Sequence, residues 1–197
     1  MNLLLVAATE MECALVRKSA RTIVTGVGAV NAAHALTVAV EKERPEAIII
    51  IGIGGAYPNS GLQIGDVACA ESETYGDLGV ESPEGFLDIS SLGFLQTTYP
   101  LQLFPAPRKA RFVTVSTCSG TDDLSQRIQS RTKGEVENME GAAIAHIAAK
   151  YGIPTGEIRG ISNLTGNRDR ASWKVKEAAE TAQQTLLAWL NLSSNPR

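Results

Sequence analysis

Short apolar, β-branched runs recur along the chain at Leu3 to Ala8, Thr22 to Thr25, Ala47 to Ile53, Ile64 to Glu71, Arg111 to Ser116, Gly134 to Met139 and Thr155 to Ser162. Runs such as AIIIIGI, apolar without alternation, predict strands covered on both faces. Between them lie candidate helices at Glu10 to Ser19, Val30 to Glu43, Asp122 to Gln129, Glu140 to Tyr151 and Ala171 to Leu190. This alternation predicts an α/β fold with a largely parallel central sheet, because parallel neighbours need helical crossovers. The stretch Ser82 to Pro107 holds four of the eight prolines and little periodicity. It reads as a long excursion over the surface that covers a site. No internal repeat or low-complexity tract is present, and the tail Ser193 to Arg197 reads as frayed.

A chain of 197 residues, 44% of them hydrophobic, is enough for one domain with a sizeable core, so residues 1–197 are expected to form a single domain. The formal net charge of -3, with no block of like charge, gives no footprint for nucleic acid or an anionic membrane. A small neutral or acidic ligand fits better. Three cysteines (Cys13, Cys69, Cys118) without CxxC spacing indicate neither a disulfide framework nor a zinc cluster, and no metal is expected. The opening run MNLLLVAATEME is too short and lacks a basic lead, so it reads as a buried strand in a cytoplasmic protein. No run reaches the ~20 apolar residues of a spanning helix. His34 and His146 each sit in an alanine-rich helical stretch and read as packed core residues, which leaves the chemistry to carboxylates, amides and hydroxyls.

In open α/β sheets ligands collect at the carboxyl ends of the strands. There the strands deliver Thr9, Glu10 and Glu12; Gly52 to Ala56; Asn138, Met139 and Glu140; and Ser162 with Asn163. One acid in a first helical turn is explained by capping, worth roughly 0.3 to 1 kcal/mol. Two carboxylates and an amide at one sheet edge ask for more. The loop TGVGAVNAAHA imitates a dinucleotide fingerprint, but Asn31 stands where the third glycine is expected, and its glycines read as allowing close strand–helix packing. In GIGGAYPNSG, Gly54 and Gly55 let backbone approach a flat or polyhydroxylated ligand.

GIGGAYPNSGLQIGDV, ENMEGAAIAHIA and IRGISNLTG resemble the glycine-rich, ribose-binding and base-binding segments of the nucleosidase branch of the purine nucleoside phosphorylase superfamily. Within it, YGDLGVES with ISNLTGNRDRASW resembles the futalosine hydrolases of the alternative menaquinone route. The resemblance covers nearly the whole chain. It implies a three-layer α/β/α sandwich around a central, mostly parallel mixed sheet, a purine nucleoside as substrate, no cofactor, and a homodimer or higher homo-oligomer. It further implies that Glu140 accepts from the ribose hydroxyls, that Met139 packs on the sugar, and that Glu12 activates the attacking water while Glu10 supports its loop. Gly54, Gly55, Asn138 and Ser162 complete the binding set.

Asn163 stands where adenosine-type nucleosidases carry Asp. Its amide can donate to a 6-oxo group, whereas the 6-amino group of adenine would set donor against donor, at roughly 1 to 3 kcal/mol for the unpaired group. Hypoxanthine is therefore the expected leaving group. The segment after the first strand, ATEMEC, has two acids and no base before Arg17, which favours water over phosphate as nucleophile. Arg168 or Arg170 is the candidate partner for an acidic 5′ group. Only nine residues separate Glu12 from Thr22, fewer than is usual among the relatives.

Overall fold

The computed structural model describes residues 2–101 and 108–194. In chain order, β1 (Leu3–Ala7), a 3-10 turn (Glu10–Glu12), β2 (Arg21–Val24), α1 (Ala29–Lys42) and β3 (Ala47–Ala56) lead into β4 (Val67–Tyr75). A small hairpin of β5 (Gly79–Ser82) and β6 (Gly85–Asp88) follows, then β7 (Thr98–Pro100), β8 (Lys109–Thr114) and α2 (Asp122–Thr132). The chain continues through β9 (Val136–Asn138), α3 (Gly141–Tyr151), β10 (Thr155–Leu164) and α4 (Val175–Ser194).

The main sheet runs β10-β4-β8-β9-β3-β1-β2, with β7 on β4. It is mixed and mostly parallel, as expected: β3 pairs in parallel with β1 and β10, whereas β9 meets β3 and β4 meets β10 in antiparallel fashion. Because β3 bonds to both β9 and β10, the path β3-β9-β8-β4-β10 returns to β3 and that end of the sheet curls on itself. Around β1 and β3 the layers are those of the sandwich. Leu3, Leu5, Ile49 and Ile51 face Ala182 and Leu186 of α4, while Leu4, Val6, Ile48 and Ile50 face Leu36 of α1 and Ile144 of α3. Alternate strand residues thus feed two cores, which is why the runs are apolar without alternation. The backbone of α4 comes so near β10 that a Cβ on Gly160 would stand 3.0 Å from the Ala178 Cα.

Several expectations need correction. Glu10 to Ser19 is not a helix: only Glu10–Glu12 form a 3-10 turn, followed by irregular turns. The Leu15 N–H bonds Gln183 Oε1 of α4 instead of a carbonyl one turn back, and the segment's own bonds are separate turns, such as Val16 N to Cys13 O at 3.1 Å and Ser19 N to Val16 O at 2.8 Å, so no continuous helical ladder forms. The last helix starts at Val175, after a 3-10 turn at Arg170–Ser172 that leaves Trp173 outside it. His34 is exposed, since α1 turns Ala32, Leu36 and Val40 inward; His146 is half-buried and stacked on Tyr99 at 5.0 Å. The excursion holds the β5–β6 hairpin partner β6, a 3-10 turn and β7, and residues 102–107 of it lie outside the described residues, as do 195–197 of the tail.

Candidate active site

The carboxyl ends of β1, β3, β9 and β10 surround a cavity of about 350 Å³, within the size of small-molecule sites. All eight residues singled out from the sequence line it: Glu12, Gly54, Gly55, Asn138, Met139, Glu140, Ser162 and Asn163. Each arrives for a local reason.

Glu12 is 4% exposed, and its side chain folds back to cap the 3-10 turn. Oε2 accepts from Thr9 N at 2.9 Å and Thr9 Oγ1 at 2.7 Å, and Oε1 accepts from Ile53 N at 3.0 Å. A carboxylate offers about four lone-pair sites, so one on Oε1 remains for a ligand. A Cβ on Gly52 would stand 2.7 Å from that oxygen, and only glycine leaves the room.

Glu140 is 5% exposed at the N-cap of α3. The Asn138 side chain, not Glu140, satisfies the first turn: Asn138 Oδ1 accepts from Glu140 N at 2.9 Å and Gly141 N at 2.7 Å. The Glu140 carboxylate is thereby left to face the cavity, where Oε1 accepts from Gly28 N at 3.0 Å and Oε2 from Arg159 Nη2 at 3.4 Å.

In β10 the pairing with β3 slips between Ile161 and Asn163, a bulge that re-aims Ser162 and Asn163 at the cavity. Ser162 Oγ lies 2.7 Å from Asn163 Oδ1, to which it donates, and Asn163 Nδ2 donates to Leu164 O at 3.0 Å. A Cβ on Gly55 would stand 3.0 Å from Asn163 Nδ2. The amide is thus oriented on both sides and keeps one N–H and one lone pair for a ligand.

Three residues escaped the sequence reading, and Thr9, named there without a role, gains one. Arg159, 3% exposed, lines the cavity with four of its five N–H groups committed: Nε donates to Glu157 Oε1 at 2.6 Å, Nη1 to Ile53 O at 2.8 Å, and Nη2 to Asn138 Oδ1 at 3.2 Å as well as to Glu140. Its signal was present, since Glu157 and Arg159 share one face of a strand otherwise read as buried. Gly28 does more than ease packing, because its positive φ of 98° aims its N–H at Glu140. Glu137, also lining the cavity, accepts from Tyr57 Oη at 2.8 Å and Ser119 N at 2.8 Å, and burial followed by the charge of Glu137 pushes the Tyr57 phenol up. Thr9 supplies two of the three donors to Glu12.

The two arginines left open are separated by the structure. Arg168 lines the cavity with its guanidinium 4.9 Å from the Trp173 ring centre, beside Met11, Val27, Leu164 and Val175; Arg170 does not line it. Arg17 turns outward to Glu10.

The family model described as the phosphorylase superfamily matches residues 14–137 and 109–191. A futalosine hydrolase of Streptomyces coelicolor is 36% identical over 68% of this chain and 60% of its own length, so the chain spans less than two thirds of that relative. One from Acidothermus cellulolyticus is 33% identical over 88% of this chain and 78% of its own. A 5′-methylthioadenosine/S-adenosylhomocysteine nucleosidase of Shewanella oneidensis is 26% identical over 87% and 79%. Among solved structures, a Helicobacter pylori nucleosidase mutant with 5′-methylthioadenosine in its active site superposes with a TM-score of 0.84 at 15% identity, covering 96% of this chain and 98% of that one. With its fold, its strand-end cavity and its sequence all pointing the same way, the chain belongs to the phosphorylase superfamily, in the nucleosidase branch that holds the futalosine hydrolases.

Proposed function

We propose that this chain is an N-glycosidase that hydrolyses futalosine, releasing hypoxanthine and dehypoxanthine futalosine on the futalosine route to menaquinone. The observation that carries the reading is the convergence of Glu12, Glu140 and Asn163, delivered by three different strand ends, on one cavity. Glu140 accepts from the ribose 2′ and 3′ hydroxyls with the lone pairs that Gly28 and Arg159 leave free, while Met139 packs on the sugar. As the glycosidic bond stretches, the ribose becomes oxocarbenium-like and that negative charge is favoured more than in the ground state. Glu12 takes a proton from water held at Oε1. Asn163, oriented by Ser162, accepts from N7 as it gains a proton and donates to O6 of hypoxanthine. Gly54 and Gly55 allow the base to lie against backbone.

Water is the nucleophile because Arg159, the buried cation lining this cavity, spends four of its five N–H groups, and both of those on Nη2 facing Glu140 and Asn138, on protein acceptors. A phosphate dianion would meet the carboxylates of Glu12 and Glu140, while Arg168, the other cation lining the cavity, lies over Trp173. Arg168 on Trp173 receives the acidic 5′ group. An adenine-releasing methylthioadenosine or adenosylhomocysteine nucleosidase is the alternative that the 26% identical relatives support, and Asn163 argues against it; a purine nucleoside binding protein without turnover is the other.

The reading extends to a single nucleoside phosphorylase-like domain over residues 1–197 that works in the cytoplasm without cofactor or metal. Exposed Val24, Val27, Val30 and Val38, on and beside α1, support a homodimer or higher homo-oligomer. Incubation with futalosine and with methylthioadenosine, followed by chromatography of the bases, tests the assignment. Hypoxanthine from the first is expected; adenine from the second without hypoxanthine from the first would reverse it.

A further inference from the structure

Under the sugar side of the cavity, β4, β8, β9, β10 and the start of α3 press a set of polar side chains into the core. Glu73 on β4 and Glu157 on β10 are both 0% exposed. Glu73 Oε1 accepts from Asn138 Nδ2 at 2.5 Å and Oε2 from Thr114 Oγ1 at 2.9 Å. Glu157 Oε1 accepts from Arg159 Nε, but Glu157 Oε2 is the one buried side-chain oxygen or nitrogen among the described residues with no hydrogen-bond donor. A buried orphan acceptor costs about 1 to 3 kcal/mol, more when charged.

The missing donor is next to it. The point that a Cβ on Gly141 would occupy overlaps Glu73 Oε1 and lies 2.6 Å from Glu157 Oε2, so the two carboxyls abut across the glycine. Two carboxylates cannot share a dry site in ionised form; one keeps its proton and donates it. The surrounding charges agree. Glu12, Glu73, Glu140 and Glu157 are all within 5% of full burial around the single guanidinium of Arg159.

We propose that Glu73 and Glu157 hold one proton between them, Glu73 donating to Glu157, and that this pair positions Arg159 so that Glu140 keeps its charge for the sugar. Glu157 holds the guanidinium at 2.6 Å, whereas Glu140 meets it only at 3.4 Å. Anchored this way, Arg159 orients Glu140 without neutralising it. The groups facing the Glu73 carboxyl are Glu157 and Arg159 from β10, Thr114 from β8 and Asn138 from β9. Burial, then the charge of Glu157, pushes Glu73 well up, against the pull of Arg159 and Thr114. Neither glutamate touches substrate; both are positioning residues, and only the kinetic part of the test rests on the proposed hydrolysis.

Infrared spectroscopy of the full chain at neutral pH is the test. The wild type is expected to show the carbonyl stretch of a protonated carboxyl that disappears in Glu73→Gln. Glu157→Gln, which replaces the acceptor, removes or shifts the same band and serves if Glu73→Gln does not fold. Absence of the band in the wild type, or a band that neither variant alters, overturns the proton pair whatever the substrate proves to be. In turnover, Glu157→Gln releases Arg159 onto Glu140, so kcat falls by about tenfold or more with KM held within about threefold. Glu73→Gln, whose amide still donates to Glu157, keeps kcat within about threefold. A Glu157→Gln variant with wild-type kcat, or with KM raised as much as kcat is lowered, overturns the positioning role. A wild type that turns over no purine nucleoside refutes the proposed function instead, and the infrared band still decides the pair.

Discussion

Replacing Glu12 by Gln separates the cap that the structure shows from the general-base role proposed for the same carboxylate. Glu12 caps its own turn through Thr9 N and Thr9 Oγ1 and ties that turn to β3 through Ile53 N. A glutamine keeps one oxygen. Turned toward Thr9, that oxygen retains two of the three bonds, and the new amide N–H₂ then faces the Ile53 N–H, donor against donor. One unsatisfied buried donor costs about 1 to 3 kcal/mol. For a chain of this size each kcal/mol moves Tm by about 2 to 4 °C, so Tm should fall by about 2 to 12 °C. The catalytic loss is larger, since removing a positioned general base costs about 10² to 10⁴ in rate. Hypoxanthine binding, which depends on Asn163 and the glycine backbone across the cavity, should survive. Thermal melts with and without hypoxanthine, alongside a timed assay of base release, measure all three. A variant that loses Tm as stated but retains turnover within about threefold would refute the general-base role and leave Glu12 a cap. Loss of turnover together with hypoxanthine binding would make it a purely structural residue.

Other perturbations have equally definite outcomes. Gly141→Ala drives a methyl into the Glu73 and Glu157 carboxyls and should cost at least the about 1 to 3 kcal/mol of an overpacked core, read as a lower Tm. Asn163→Asp puts a carboxylate against the Leu164 carbonyl and the 6-oxo group, so the ratio of kcat/KM for 6-oxo over 6-amino nucleosides with the same 5′ group should drop, about tenfold for each 1.4 kcal/mol; equal slowing of both would reduce Asn163 to a loop-shaping role. Arg168→Ala should raise KM for futalosine while leaving that for inosine, which lacks the acidic 5′ group, nearly unchanged. The raised Glu73 pKa means that the folded state keeps a proton which the unfolded chain loses near pH 4.3. Its contribution to stability is therefore complete below that pH and declines above it, by up to about 1.4 kcal/mol per pH unit until the folded group itself ionises. Urea melts from pH 5 upward should show that decline in the wild type and a flatter profile in Glu73→Gln; identical profiles would contradict it.

Much of this was legible in the chain because the apolar runs are long and their carboxyl ends carry the unusual residues. Parallel strands covered on both faces leave a strong hydrophobic signature, and the residue after such a strand is at the sheet edge whatever the details. Glu12, Asn138, Glu140 and Asn163 were found that way. Sequence pattern failed where tertiary contacts replace local ones. The segment after Glu12 reads as helical, yet the Leu15 N–H goes to the Gln183 side chain of α4 and the Glu12 side chain turns back to cap Thr9 N, three positions earlier. Gly28 looked like packing because its N–H serves a carboxylate 112 positions away. Glu73, Glu157 and Arg159 lie inside strands, where alternation marks their side but not the pairing of β4 with β10 that brings the acids together. The curl that closes β10 onto β3 likewise depends on long-range pairing that no local period encodes.

The central claim, that water cleaves a 6-oxo purine from futalosine at this cavity, is tested most directly by running the reaction in phosphate buffer made with heavy-oxygen water and analysing both products by mass spectrometry. The account predicts hypoxanthine together with dehypoxanthine futalosine carrying one heavy oxygen at C1′. A sugar 1-phosphate, or adenine from methylthioadenosine with no hypoxanthine from futalosine, would contradict it.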